Sequence, residues 1–187
     1  MYGIKIESKS LDIPETGSSC KENAALKAIG YSEACPNQYV LVEDSGLVVP
    51  ALNNLPGPWS ARFYDLSLLT REVIDATNLS REELDVLNCN KVISLMKDVP
   101  FDKRGAYFTI TLMVAKNKQI LFSTTAESHG WIADSPKGFD NFGYDPIFIG
   151  NDTFGKTYAE LDFTRKQLRS HRSKALDSFE VWISQEI

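Results

Sequence analysis

Apolar positions along the chain fall into short alternating runs and longer helical stripes. Tyr2, Ile4 and Ile6 alternate with Gly3, Lys5 and Glu7, the two-residue period of a half-buried strand. Pro14 then breaks the chain before Glu15-Thr16-Gly17. Residues 20–32, rich in Ala, Leu, Lys and Glu, predict a helix with Ser18 or Ser19 as its cap. Val40-Leu41-Val42 predicts a strand that ends at the acidic pair Glu43-Asp44, with a turn at Ser45-Gly46. Residues 47–51 are apolar again, and residues 53–58 are the densest turn signal in the chain.

Residues 66–98 predict a helix. Within it Ser80 and Glu83 have capping-box spacing, and Leu84, Leu87, Val92, Leu95 and Met96 supply an inward stripe. Residues 106–115 and 119–125 are β-rich runs flanking Lys116-Asn117-Lys118, the pattern of a hairpin. Residues 130–143 read as a loop, and residues 145–149 as a strand entered through a turn. The end of the chain, residues 164–185, predicts a helix broken near Ser170, with Ala175, Phe179, Trp182 and Ile183 facing inward. Mixed strands and helices around a central hairpin predict an α/β or α+β fold with a mixed sheet, as a single domain over residues 1–187.

A chain of 187 residues buries roughly 70 % of its unfolded surface, enough for a core without staples. Its net charge of −5 argues against a general nucleic-acid binder. No apolar run approaches a membrane span, and no leader-like start is visible, so a cytoplasmic protein without nucleic-acid or membrane partners is expected. Cys20, Cys35 and Cys89 are far apart and form no paired motif, which predicts free thiols.

Local chemistry stands out in four places. Glu15 lies in a turn, and Glu43 and Asp44 lie at the end of the expected strand. Such carboxylates suit Mg²⁺, which takes one or two of them and completes its shell with water and phosphate oxygens. From these residues alone a solvated acidic turn is equally open. Residues 165–174 carry five fixed positive charges and no acid, either a solvated helix face or a phosphate or purine site. Asn141-Phe142-Gly143-Tyr144-Asp145-Pro146 is an aromatic turn, either core or a stacking platform. Asn23 and Lys27 lie one helical turn apart on one face. His129 falls in a loop with no evident partner.

The ordered segments EDSGL, LPGPWSAR, FGYDPIF, KTYAEL and SHRSKAL resemble the inosine/xanthosine triphosphate pyrophosphatase family, from about Ile4 to the C-terminus. The resemblance implies an α/β fold, elongated and two-lobed, with a mixed, twisted central sheet, flanking helices and an active-site cleft between the lobes. It implies a Mg²⁺-dependent homodimer that hydrolyses ITP, dITP and XTP to the monophosphate and pyrophosphate, clearing the nucleotide pool. Glu15 and Asp44 would hold the metal, with Glu43 as a supporting acid, and Asp44 would also activate water. Lys27 would meet the phosphates. Ser45, Phe142, Gly143, Tyr144, Asp145, Lys166, Ser170, His171 and Arg172 would complete the substrate site, with Phe142 stacking on the purine. His171 is expected as a hydrogen-bonding group, not a base. Donors from His171 and Arg172 aimed at a 6-oxo group would face the 6-amino group of adenine, at a cost of about 1–3 kcal/mol each.

Family members begin with a strand running into a Thr/Ser-Gly-Asn-x-x-Lys turn that holds the triphosphate, a place suited to anions. The sequence shows no such turn and starts at what resembles the second strand, so a fold missing its first strand and helix is expected. The alternative reading is a catalytically weak or inactive purine-nucleotide-binding relative, because phosphoryl transfer rests on positioned charge.

Overall fold

The computed structural model describes residues 7–68, 79–139, 142–168 and 170–186. The strand expected at residues 2–6 and much of the early part of the helix expected from residue 66 lie outside these residues. The architecture is α/β, a sheet flanked by helices. Five strands, β1 (Val40–Val49), β2 (Leu55–Pro56), β3 (Gly105–Lys116), β4 (Gln119–Ile132) and β5 (Phe148–Gly150), run in the order β2-β1-β3-β4-β5. Every strand pairing among the described residues is antiparallel.

Local signals explain several elements. Helix α1 (Cys20–Ala34) starts where Ser19 Oγ accepts the Glu22 N–H. Helix α2 (Arg81–Leu95) starts at the full Ser80/Glu83 capping box. The β3–β4 hairpin turns on Asn117 and Lys118, both at positive φ, as a two-residue hairpin turn requires. Helices α3 (Phe163–Gln167) and α4 (His171–Glu186) replace one long helix, with the break at Ser170.

The sheet is covered on both faces. Val40, Val42, Met113 and Ala115 pack with Ala24, Ala25, Ala28 and Tyr31 of α1. On the opposite face Ile110, Leu112, Phe122 and Ala126 meet Ala175 and Phe179 of α4. The largest core gathers Leu47, Val49, Phe63, Val92, Met96, Phe108, Phe148 and Tyr158.

Several expectations are corrected, the mixed sheet among them, since every described strand pairing is antiparallel. The turn expected at Ser45-Gly46 is a continuous strand. A Cβ on Gly46 would lie 2.2 Å from the Gly57 carbonyl oxygen, so glycine here admits a neighbouring segment rather than a bend. Ser60 seals that approach, its hydroxyl accepting the Leu47 N–H at 2.9 Å and donating to the Gly57 carbonyl at 2.6 Å. Of the stripe expected on α2, Val92 and Met96 are buried and Leu84 and Leu87 half-buried, but Leu95 is exposed and the polar Asp85 and Asn88, with Cys89, join the buried face, because loops rather than a strand lie against it. Residues 130–132 extend β4 instead of opening a loop, and residues 145–147 form a 3-10 turn before β5. His129 therefore sits in a strand, with Glu127 at 2.9 Å and its ring 5.2 Å from that of Tyr107.

Candidate active site

Two clusters of the expected residues form, one against each face of β1. The first is built on α1. Asn23, buried in the first turn of that helix, accepts the Gly17 N–H at 2.8 Å and fixes the turn that carries Glu15. One turn further along, Lys27 reaches Glu15 at 2.9 Å and Asp44 Oδ1 at 2.7 Å. Burial pulls the Lys27 ammonium down, but Asp44 and Glu15 outweigh it and hold the group above its ordinary value. Burial is also the largest influence on Asp44 and lifts its carboxyl above the usual range. Lys27 pulls it back, and the like charge of Glu15 lifts it again. Asp44 Oδ2 is buried and makes no hydrogen bond of normal geometry.

Glu43 does not join this cluster, which corrects its expected place beside Asp44. Successive residues of a strand point to opposite faces. With β1 continuous through Glu43 and Asp44, only Asp44 lies on the α1 side. Glu43 instead receives a forked pair of hydrogen bonds from Arg172 at 2.7 and 3.0 Å. A cavity of about 390 Å³ lies beside the first cluster, lined by Lys9, Asp12, Glu15, Lys27, Tyr31 and Glu43 among others.

The second cluster joins the aromatic turn to α3 and α4. Asp145 is buried and pairs with Lys166, whose ammonium lies 5.3 Å from the centre of the Phe142 ring. Phe142 is 57 % exposed, an open aromatic face beside a buried carboxylate. Ser170 begins α4, its hydroxyl accepting the Ser173 N–H at 3.1 Å. His171 follows, stacked on Phe108 with ring centres 5.1 Å apart. Burial, then the charges of Arg172, Lys174 and Lys166, pull its pKa down to about 3. The ring is thus neutral near pH 7, and its Nδ1 is buried without a hydrogen-bond partner. Ser45 is half-buried in β1, on the Glu43 side by strand alternation. Tyr144, expected among the binding residues, is buried instead, its hydroxyl donating to the Ser60 carbonyl at 2.8 Å. Gly143 faces α2, where its N–H donates to Asp85 Oδ2 at 2.8 Å. Asp85 is a functional neighbour that the sequence does not mark out. Its only signal there is an acidic residue four positions before Cys89, on a helix face otherwise read as apolar.

Among the described residues no three His, Cys, Asp or Glu side chains gather as a metal cluster. The fit to a single hard cation rests on two carboxylates. Glu15 and Asp44 share one lysine, which leaves an excess negative charge, and Asp44 Oδ2 makes no hydrogen bond of normal geometry. Mg²⁺ characteristically uses one or two carboxylates, so the donor set fits.

Comparisons with known proteins agree over almost the whole chain. The Ham1 family profile matches residues 2–182. A dITP/XTP pyrophosphatase of Oceanobacillus iheyensis is 40 % identical over 172 residues, spanning 92 % of this chain and 79 % of that protein. The solved Ham1 protein of Staphylococcus aureus superposes with a TM-score of 0.78 at 32 % identity, covering 95 % of this chain and 82 % of that one. A nucleoside-triphosphatase, dITP/XTP pyrophosphatase, from Mycobacterium abscessus gives 0.70 at 31 % identity, covering 92 % and 82 %. With the order of its motifs, its sheet and its clustered acids and cations accounted for together, the chain belongs to the Ham1 family.

Proposed function

We infer that the chain hydrolyses non-standard purine nucleoside triphosphates, ITP, dITP and XTP, to the nucleoside monophosphate and pyrophosphate. The observation that carries this reading is the Glu15–Lys27–Asp44 cluster, two carboxylates on one lysine with Asp44 buried. The second cluster, an open aromatic face with polar and cationic neighbours, supports a purine at the far end. Relatives named dITP/XTP pyrophosphatases support the same substrate class.

Glu15 and Asp44 would hold Mg²⁺, which when bound neutralises phosphate charge and lowers the pKa of coordinated water. In the reaction Asp44 takes a proton from a water as the water oxygen bonds to the α-phosphorus. The bond from that phosphorus to the bridging oxygen breaks, and its electron pair leaves with pyrophosphate. Lys27, already held above its ordinary pKa, places a fixed positive charge beside the phosphates. Phe142 stacks the base for about 1–3 kcal/mol with little base preference. Selectivity then falls to hydrogen bonds. Arg172 presents a forked donor, and His171, neutral and with an unsatisfied ring nitrogen, takes part as a hydrogen-bonding group rather than a base. Asp145, with Lys166 as its counter-ion, meets the purine edge.

The same reading takes the chain as one two-lobed domain acting as a homodimer in the cytoplasm, with neither nucleic acid nor membrane as partner. The net charge of −5 supports the former exclusion. Among the described residues no helix is long and apolar enough to cross a membrane.

The test is pyrophosphate release from ITP, with ATP and GTP as controls, with and without Mg²⁺. Release from ITP that requires Mg²⁺ and far exceeds the controls is expected. A folded protein that releases none from any of the three would instead be a nucleotide-binding relative without turnover.

A further inference from the structure

Helix α2 presents polar groups to the interior, and they grip two loops. Asn88 Oδ1 accepts the Tyr64 N–H at 2.7 Å, and the Lys91 ammonium donates to the carbonyls of Phe63, Tyr64 and Leu66 at 2.7, 3.0 and 2.8 Å. Asp85 and Cys89, one helical turn apart, both hold a single residue of the other loop, Gly143. Asp85 Oδ2 accepts the Gly143 N–H at 2.8 Å, and the Cys89 thiol donates to the Gly143 carbonyl at 3.2 Å. Asp85 is only 4 % exposed, and its other oxygen accepts a hydrogen bond from Arg81 Nε at 3.0 Å.

A buried carboxylate is costly unless its oxygens are satisfied, and a plain core position would carry an apolar side chain instead. Here the carboxylate is used on a backbone amide. Burial, with the charges of Asp85 and Asp145, pushes the Cys89 thiol up to about 12, so it keeps its proton and stays a donor. Gly143 adopts a left-handed φ of 57°, where a side chain would be strained. On one side of it Phe142 is exposed, and on the other Tyr144 is buried and tied to Ser60. A cavity of about 50 Å³ behind the turn, lined by Asp85, Cys89, Gly143 and Pro146 among others, leaves the turn room to shift once unclamped.

We propose that Asp85 and Cys89 form a two-point clamp on Gly143 that sets the position of Phe142 and so governs how tightly a purine base is held. This rests on the nucleotide site proposed above, and it makes both side chains positioning residues rather than catalytic ones. Glu15, Lys27 and Asp44 lie on other elements, so loosening the clamp weakens base binding and leaves the chemical step intact.

The test uses the full chain carrying Asp85→Ala, Asp85→Asn or Cys89→Ala. ITP binding is measured by calorimetry in EDTA, hydrolysis with Mg²⁺, and thermal unfolding alongside. Asp85→Ala is expected to weaken ITP binding and raise KM by roughly tenfold or more, with kcat within about threefold, the signature of lost ground-state binding. Asp85→Asn keeps an oxygen that accepts the same N–H and should restore most of the affinity. Cys89→Ala should raise KM by roughly two- to fivefold, as loss of one weak hydrogen bond does. Unchanged affinity and KM in a folded Asp85→Ala variant, or equal losses in the Ala and Asn variants, would overturn the clamp. If Asp85→Ala does not fold, Cys89→Ala decides: a raised KM with kcat kept supports the clamp, and an unchanged KM overturns it. A wild type that binds ITP without hydrolysing it, with binding still weakened by Asp85→Ala, would sink the proposed turnover and leave the clamp standing. A wild type that does not bind ITP overturns both.

Discussion

Lys27 Nζ stands 2.7 Å from Asp44 Oδ1, yet the other oxygen of that carboxylate is buried without a hydrogen bond of normal geometry, the Cys20 thiol being the other side chain that acts on the carboxylate. A buried carboxylate normally satisfies both oxygens, so half of Asp44 is held and half is left facing something else. Glu15, on the same lysine at 2.9 Å, adds a second negative charge to balance one positive charge. A hard cation or a water is the group that such an arrangement suits.

Asp44→Asn keeps the shape of the side chain and removes its charge. Lys27 retains Glu15 as a partner, so the fold should survive. If Asp44 takes the proton of the attacking water, pyrophosphate release from ITP should fall by roughly 10²–10⁴-fold. Release assays run beside denaturant unfolding check this. A folded variant with more than about a tenth of wild-type activity would remove Asp44 from the chemistry.

Arg172 meets Glu43 through a planar fork that lysine cannot reproduce. Both side chains are about 41–42 % exposed, so the pair adds no more than roughly 1 kcal/mol to stability. Arg172→Ala and Arg172→Lys should therefore unfold almost like wild type. Both should raise the KM for ITP, by roughly tenfold or more, because the forked donor is lost in each. Full activity in Arg172→Lys would show that only the charge matters.

His171 gives a pH signature. Its folded pKa of about 3 lies below the ordinary value of 6.5, so its neutral form is favoured by folding. The stability linked to it is fully present above pH 6.5 and is lost as the pH falls toward 3, at no more than about 1.4 kcal/mol per pH unit. Carboxylates also titrate at the acid end, so the comparison is with His171→Leu. Between pH 7 and pH 4 the Tm of the wild type should drop further than that of the variant. Parallel curves would mean that His171 is not held neutral by its surroundings.

Gly46→Ala places a methyl group 2.2 Å from a backbone carbonyl oxygen, with Ser60 Oγ at 2.8 Å. Backbone cannot move aside as the end of a flexible side chain does, so the substitution should cost about 3 kcal/mol or more. Denaturant unfolding measures it. A shift below about 1 kcal/mol would show that the 57–60 segment can retreat from β1.

Much of the fold is legible in the sequence where the signal is local. Ser19 and Ser80 announce α1 and α2 as caps, their hydroxyls accepting the N–H groups of Glu22 and Glu83, and the Ser80/Glu83 box is complete. Asn117 and Lys118 mark the hairpin, where the turn demands positive φ. Ala175, Phe179, Trp182 and Ile183 share one face of α4 by helical spacing alone, with Ala175 and Ile183 buried. Asn23 and Lys27 are likewise placed together by the helix that carries them.

The misreadings share a cause. Gly46 looks like a turn because glycine usually marks one, but its role is set by Gly57, eleven positions on, pressing against it. Leu95 looks like core and is exposed, because α2 rests on loops that need Asp85, Asn88 and Cys89. Glu43 and Asp44 are neighbours in sequence, and a strand running through both sends them to opposite faces, one to Arg172 and the other to Lys27.

By itself the sequence determined which segments become helix or hairpin and which residue types are available for chemistry, because periodicity, caps and turn residues act over a few positions. Only the tertiary structure decided which of those residues meet. Arg172 finds Glu43 across 129 positions and Gly143 finds Asp85 across 58, and no local pattern encodes such meetings. They follow from sheet register and from the close approach of distant segments, both of which exist only once the chain has packed.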